Sequence, residues 1–503
     1  MSVFSPLPLG QRIPPSPHAV SCSLPSMKDV RGYEEKNPET LQHLISGYPR
    51  FVVHPFTPQL IEHVIARTPA LAGRTLWLTT SAKMAGMLAA HLGGSANRVE
   101  VFCHDGLHGA SHPVSPELQS LAKTFLQNIG GFLSSREAED HLVRLKLIPA
   151  TYPEDTFKGD SGAAVRAALQ RALPGATADD VLLAPSGMSA IYAAFRACAD
   201  LQASRGRTLW LQLGWLYLDT IAILKKFTNS PEDYVYVRDP LDFDVIERIF
   251  AQHGGKLAGV FVELPTNPLI QTTDLRRLAA LCRQHGAKLI VDPSIVSVFN
   301  VDVLPHCDVV AASLTKYTAS EGDLLAGVCA VNPAGADAED LRWRIQDDAE
   351  RIYPRDLARL ALEIRAVDEV LDRIHANTAK VAAFLESHPA VRDVFWALHP
   401  ASRENYLRLA RHPNATGGMI TFTLRGELTP FYDRLRLPKG PSFGMKTTLI
   451  CPFMYLAHYD LVTSPAGLAE LAASKLDPDL LRLCCGTEPA EEIIAALAEA
   501  LEP

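Results

Sequence analysis

The chain has no Cys-x-x-Cys pair, no apolar run long enough to cross a bilayer, and no cluster of lysine and arginine. Each absence closes a class. Nine cysteines, an odd number, are scattered along 503 residues, so reduced thiols in a cytoplasmic protein are the expectation. Without an apolar run of some 20 residues, no membrane partner is expected. A net charge of −8 without a basic patch gives a nucleic acid nothing to neutralise its phosphates with. The first 26 residues hold six prolines and no apolar stretch of the secretory kind, so no secretory signal is expected.

What is present is the composition of a globular enzyme: 47% hydrophobic and 21% charged residues. The length exceeds what one ordinary core accommodates, so two or three domains are expected. The Pro- and Ser-rich opening to about Pro25 reads as chain lying extended along a surface. Strands at Arg50–Val53, Thr75–Thr79 and Arg98–Phe102, with helices at Thr57–Ile65 and Ala82–His91, form a small α/β unit.

From Asp180 a clearer rhythm begins. Val181–Ala184, Thr208–Leu213, Tyr234–Val237, Leu257–Glu263, Lys288–Asp292 and Val309–Leu314 read as strands. Helical stretches at Gly187–Leu201, Asp242–His253 and Asp274–His285 separate most of them. That alternation predicts a largely parallel sheet covered on both faces, with ligands at the carboxyl ends of its strands. Beyond Asp337 a long helical region reaches Ser387. Strands at Met419–Leu424 and Leu480–Leu483 and a helix at Glu488–Leu501 complete a smaller α+β domain. The expected division is 1–170, 171–335 and 336–503.

Three pieces along the sheet carry chemistry. Lys316 follows an apolar strand in Ser313-Leu314-Thr315-Lys316-Tyr317, where desolvation would lower its pKa and favour attack on a carbonyl. Ser313 and Thr315 alternate, so both can face one anion. Taken alone, a strand-end lysine reaching solvent is the commoner case. Asp292 ends an apolar strand, placed to hold a protonated pyridine nitrogen or, more plainly, to cap a turn. Pro185-Ser186-Gly187-Met188 joins strand to helix, where free N–H groups can receive a phosphate; an ordinary helix cap reads the same way. Together they make an anion cradle, a pyridine partner and a reactive lysine.

That combination resembles the Cys/Met-metabolism family of pyridoxal-5′-phosphate (PLP) enzymes. The matching words are Ser186-Gly187-Met188, Pro265-Thr266-Asn267-Pro268, Asp292 and Ser313-Leu314-Thr315-Lys316-Tyr317. Asp323, Gly327, Gly417-Gly418-Met419, Ser442-Phe443-Gly444 and Leu481-Arg482-Leu483 follow in order. A narrower resemblance, in "HAVSCSLPSMKDVRGYEE", "GYPRFVVHP", "SSREAE" and "GPSFGMKTTLICPFMYLAHY", is to the fungal-type cystathionine γ-synthases.

The resemblance implies the aspartate-aminotransferase-like α/β architecture (PLP fold type I) and a homodimer or homotetramer. It implies PLP carried by Lys316, Tyr217 on the cofactor ring as a proton-transfer partner, and Asn267 at the cofactor's phenolic oxygen. Arg482 and Ser442 would take the substrate carboxylate. The implied reaction is γ-replacement on an O-acylhomoserine by cysteine, with a sulfhydrylase, a lyase or a non-catalytic paralogue as alternatives.

Departures exist. The family's Tyr-x-Arg segment, which reaches a neighbouring subunit's phosphate, is absent around Thr151–Ala163, and Arg136 in "SSREAE" is assigned to that contact instead. Ser320-Glu321 replaces the usual Gly-His, and the glutamate of several lyases falls near Thr447. Two decoys remain. Gly159-Asp160-Ser161-Gly162 imitates a protease nucleophile in the wrong context. Cys103, His104, His108 and His112 crowd a stretch read as a loop of solvated histidines, and no metal is expected there.

Overall fold

The computed structural model describes residues 4–47, 49 and 51–502. Among the described residues, sixteen strands form four sheets. β1 (Arg12–Ile13) pairs with β2 (Ser21–Cys22), and β3 (Arg74–Thr79), β4 (Glu100–His104) and β5 (Leu107–Pro113) make an antiparallel sheet.

The main sheet holds β6 (Val181–Ala184), β7 (Leu209–Leu213), β8 (Tyr234–Val237), β9 (Leu257–Glu263), β10 (Lys288–Asp292), β11 (Val309–Ser313) and β12 (Gly327–Val331). Their order is β6-β12-β11-β10-β9-β7-β8. β9, β10 and β11 run parallel, as do β9, β7 and β8, while β12 runs opposite to all the other strands of the sheet. β9 and β10 are buried along their whole length, which explains their unbroken apolar runs. The intervening helices start where aspartates cap them: Asp242 accepts from Val245 N–H at 3.1 Å and Asp274 from Arg277 N–H at 3.1 Å. Since β6, β7, β9, β10 and β11 all point one way, their carboxyl ends share one edge.

The last sheet is antiparallel: β13 (Val391–Trp396), β14 (Met419–Leu424), β15 (Leu449–Pro452) and β16 (Leu481–Cys484), in the order β13-β14-β16-β15.

The opening segment departs from expectation. Residues 18–24 are buried rather than lying along a surface. Cys22, Leu24, Met27, Val30 and Tyr33 join one core with Ile420, Phe422, Leu481 and Leu483 of the last sheet. Leu24 N–H donates to Lys439 O at 2.9 Å and Ser21 Oγ to Pro441 O at 2.6 Å, so the backbone is tied as well. Residues 51–53 form no strand, and Arg50 lies outside the described residues. No helix among the described residues is long and apolar enough to cross a membrane.

The histidine-rich stretch is a hairpin, not a loop: Asp105 and Gly106, both at positive φ, turn β4 into β5. His112 is enclosed, accepting from Trp77 Nε1 at 3.1 Å with its other ring nitrogen 2.7 Å from Pro113 O. Asp160, of the protease-like decoy, caps the helix Ser161–Ala172.

Candidate active site

One cavity of about 220 Å³ opens at the carboxyl edge of the main sheet. Ser186, Gly187, Met188, Tyr217, Asn267, Asp292, Ser313, Thr315, Lys316, Ser442 and Arg482 all line it. Eleven positions chosen from sequence therefore converge, drawn from two sheets. Arg136 does not.

Lys316 sits in the turn after β11, and its Nζ donates to Ser442 Oγ at 3.1 Å. Nζ also lies 4.8 Å from the centre of the Phe443 ring. Burial, and then the neighbouring Arg482 guanidinium, hold this amine well below the usual lysine range, favouring the neutral nucleophile. The turn is held in an unusual backbone shape: Tyr317 has φ +61° and Ser442 φ +86°. Tyr317 Oη donates to Ile295 O at 2.8 Å and accepts from Gly418 N–H at 3.0 Å, while Tyr317 N–H donates to Gly444 O at 2.6 Å. A Cβ at Gly444 would stand 2.8 Å from Tyr317 N, so glycine is required there. Strained residues fixed from several sides are what a pre-set reactive lysine needs.

Asp292 ends β10, buried, and accepts from Ser294 N–H at 2.8 Å and Ser294 Oγ at 2.5 Å. Ser294 Oγ in turn accepts from Ser313 N–H at 2.8 Å, tying the ends of β10 and β11 together. Burial raises the Asp292 carboxyl; the Ser294 bonds pull the other way. Glu263 stands opposite it in register on β9 and accepts from Tyr217 N–H. Burial first, and Asp292 second, push the Glu263 carboxyl well above its usual range.

The start of the helix Gly187–Ala203 presses on β11. A Cβ at Gly187 would lie 2.7 Å from Ser313 Cβ. Ser186 Oγ accepts from Ser189 N–H at 3.1 Å, so its side chain caps the helix while the turn faces the cavity. Thr315 Oγ1 accepts from Ala326 N–H at 3.0 Å. Arg482, on β16, lies 4.7 Å from the Phe453 ring and 5.2 Å from the Phe443 ring. With both rings this near, its planar fork has little freedom left to lose on meeting a carboxylate.

These groups fit the cofactor implied by sequence. The Oδ1 of Asn267 is buried and has no hydrogen-bond partner among the described residues, leaving an amide ready for a phenolic oxygen. Asp292 offers a carboxylate to a pyridine nitrogen, and the Ser186–Met188 turn offers the N–H groups of a helix start to a phosphate.

Arg136 stands apart from the cavity lining. It is fully buried, donating to Glu154 Oε2 at 2.7 Å, to Asp356 Oδ1 at 3.2 Å and to Asp323 O at 2.8 Å. Three carboxylates, of Glu154, Asp323 and Asp356, pair with it. Sequence reasoning missed Glu263 and Ser294, which only strand register and turn geometry reveal. It also missed the wall built from the N-terminal region, where His18, Val52, His54 and Ser135 line the same cavity. His18 Nδ1 is 2.9 Å from Ser135 Oγ, and His18 Nε2 is 3.3 Å from Glu139 Oε2.

Comparison with known proteins agrees with this geometry. The L-2-amino-4-chloropent-4-enoate dechlorinase/desaturase of Streptantibioticus cattleyicolor is 38% identical over 97% of this chain and 97% of its own. The cystathionine γ-synthase of Neurospora crassa is 30% identical, the match spanning 64% of this chain and 52% of that one. A crystal structure of cystathionine γ-synthase from Xanthomonas oryzae pv. oryzae, with aminoacrylate and cysteine, superposes with a TM-score of 0.57 at 24% identity. It covers 68% of this chain and 86% of its own, a likeness of fold. The family model described as Cys/Met metabolism PLP-dependent enzyme matches residues 161–502, and the chain belongs to that family.

Proposed function

We propose that this enzyme expels a leaving group from Cγ of an α-amino acid, releasing it by elimination rather than by replacement with a thiol. The observation that carries the reading is identity sustained over the whole chain: a dechlorinase/desaturase is matched at 38% over 97% of both chains, N-terminal region included. The cystathionine γ-synthase of Neurospora is matched over little more than half of its length. That N-terminal region forms one wall of the cavity, so the match spans the segments that line it.

When bound, PLP withdraws electrons from Cα of the amino acid joined to it. This chain's residues would do the rest. Ser186, Gly187, Met188, Ser313 and Thr315 would hold the phosphate, Asp292 would keep the pyridine nitrogen protonated, and Tyr217 and Asn267 would hold the ring. Arg482, with Ser442, clamps the substrate carboxylate. Lys316 Nζ, once free of the cofactor, would take the proton from Cα, return it to the electron-rich cofactor, and as a neutral amine again take a proton from Cβ, after which the group on Cγ would depart with its electron pair. Apolar walls from Val52, Leu126, Phe132, Phe443 and Phe453 exclude water while this happens.

A second reading is cystathionine γ-synthase, in which cysteine thiol adds at Cγ after an acyloxy group leaves. The 30% identity to the Neurospora enzyme favours it. Purified PLP-loaded protein is offered L-2-amino-4-chloropent-4-enoate alone, and O-acetyl- or O-succinylhomoserine with and without cysteine. Chloride released from the first without a thiol supports elimination. Cystathionine from the second, with no chloride from the first, overturns it in favour of the synthase.

A further inference from the structure

A cluster of metal-ligating side chains lies away from the cavity. Asp372 and His375 stand one turn apart on the helix Val367–Ser387 and so share a face. His412 reaches them from the segment leading into β14. One donor atom from each of the three falls within 4.8 Å of the others.

His375 supplies an independent sign. It is only 5% exposed, yet neither ring nitrogen has a hydrogen-bond partner among the described residues. A buried imidazole left so is costly, and an unseen ion or water is the ordinary explanation. The side chains of Asp372 and His412 make no hydrogen bond or ion pair among the described residues either. His412 is held in place without any ion: Ala410 bridges Val301, and Arg411 N–H donates to Asn300 O at 2.9 Å.

We propose that Asp372, His375 and His412 form a binding site for a divalent transition ion of the Zn²⁺ class. Two imidazoles and one carboxylate suit a borderline ion rather than Mg²⁺ or Ca²⁺, and the exposed side leaves room for water as further ligand. The site clamps the helix to the segment 410–418. Ile374, next to His375, packs where a Cβ on Gly418 would come within 3.0 Å of it, and Gly418 N–H holds Tyr317 Oη. The ion therefore braces the backbone beside Lys316 from outside the cavity.

The test uses tag-free, PLP-loaded full-length protein freed of metal by chelator. Zn²⁺ is titrated calorimetrically, Co²⁺ by its visible absorption, and Mg²⁺ serves as control. The wild type should take up one Zn²⁺ per chain, gain thermal stability and show a low-symmetry Co²⁺ spectrum, with no heat from Mg²⁺. His412→Ala and Asp372→Asn alter exposed side chains and should keep the far-UV spectrum while weakening Zn²⁺ binding about tenfold or more. No uptake by the wild type overturns the proposal. So does uptake that both variants retain unchanged, which would place the ion elsewhere, for instance at Cys103 and His104.

Discussion

Asp292 and Glu263 face each other in register at the carboxyl ends of two adjacent parallel strands, both buried. Two carboxyls so placed cannot both be charged, and the hydrogen bonds decide between them. Ser294 gives Asp292 two donors, whereas Glu263 receives one backbone N–H. Asp292 is thus the anion available to a pyridinium, and Glu263 the neutral neighbour that insulates it.

Glu263→Gln tests this. The folded-state pKa of Glu263 is raised, so its contribution to stability is complete below the unfolded value of about 4.3 and is lost as pH rises through the folded value. Glutamine keeps the acceptor for Tyr217 N–H and does not titrate. The variant apoprotein should melt about 2 °C or more above wild type at pH 8, with the gap closing toward pH 4. A gap independent of pH in thermal scans would mean Glu263 is already ionised.

Lys316→Ala should abolish covalent capture of the cofactor and lower kcat by about 10²–10⁴-fold. Borohydride reduction followed by peptide mass mapping reads this directly. The wild type should carry the label on the peptide containing Lys316, and the variant should carry none.

Arg482→Lys keeps the charge but loses the planar fork stacked between Phe443 and Phe453. We expect KM for the amino acid to rise about 10- to 100-fold, while the absorbance of the bound cofactor stays unchanged. A kcat loss with unaltered KM would remove Arg482 from carboxylate binding.

Arg136→Met separates two roles. If the guanidinium serves only to neutralise Glu154, Asp323 and Asp356, its loss leaves buried carboxylates unpaired and costs about 3–5 kcal/mol of stability. Thermal unfolding should fall sharply while the folded protein retains its PLP affinity. Unchanged stability with weakened PLP binding would restore it as a phosphate ligand.

Much of the main sheet could be read in the chain, because each strand is a local apolar run bounded by its own turn or cap. β6, β8, β9 and β10 fall at the expected residues. β12 went unread: Gly327–Val331 is equally apolar, but nothing within it marks an antiparallel strand inserted between β6 and β11. The four-stranded sheet was only half visible, since β13 and β15 lack a strict alternation and owe their pairing to β14 and β16.

The sequence by itself determined the order of the chemistry: helix-start turn, Asn267, Asp292, Lys316, then Arg482, each at a local strand or turn signature. Only the tertiary structure decided which charges meet. Arg136 and Ser186 look alike as candidate anion contacts along the chain, yet one is enclosed by three carboxylates and the other faces the cavity. Likewise the proline-rich opening carries no periodicity of its own, and its burial against β14 and β16 depends on apolar partners some 400 residues away. Hydrophobic period and capping are local properties. Ion pairing, orphaned polar atoms and cavity walls arise between distant segments, where no spacing along the chain records them.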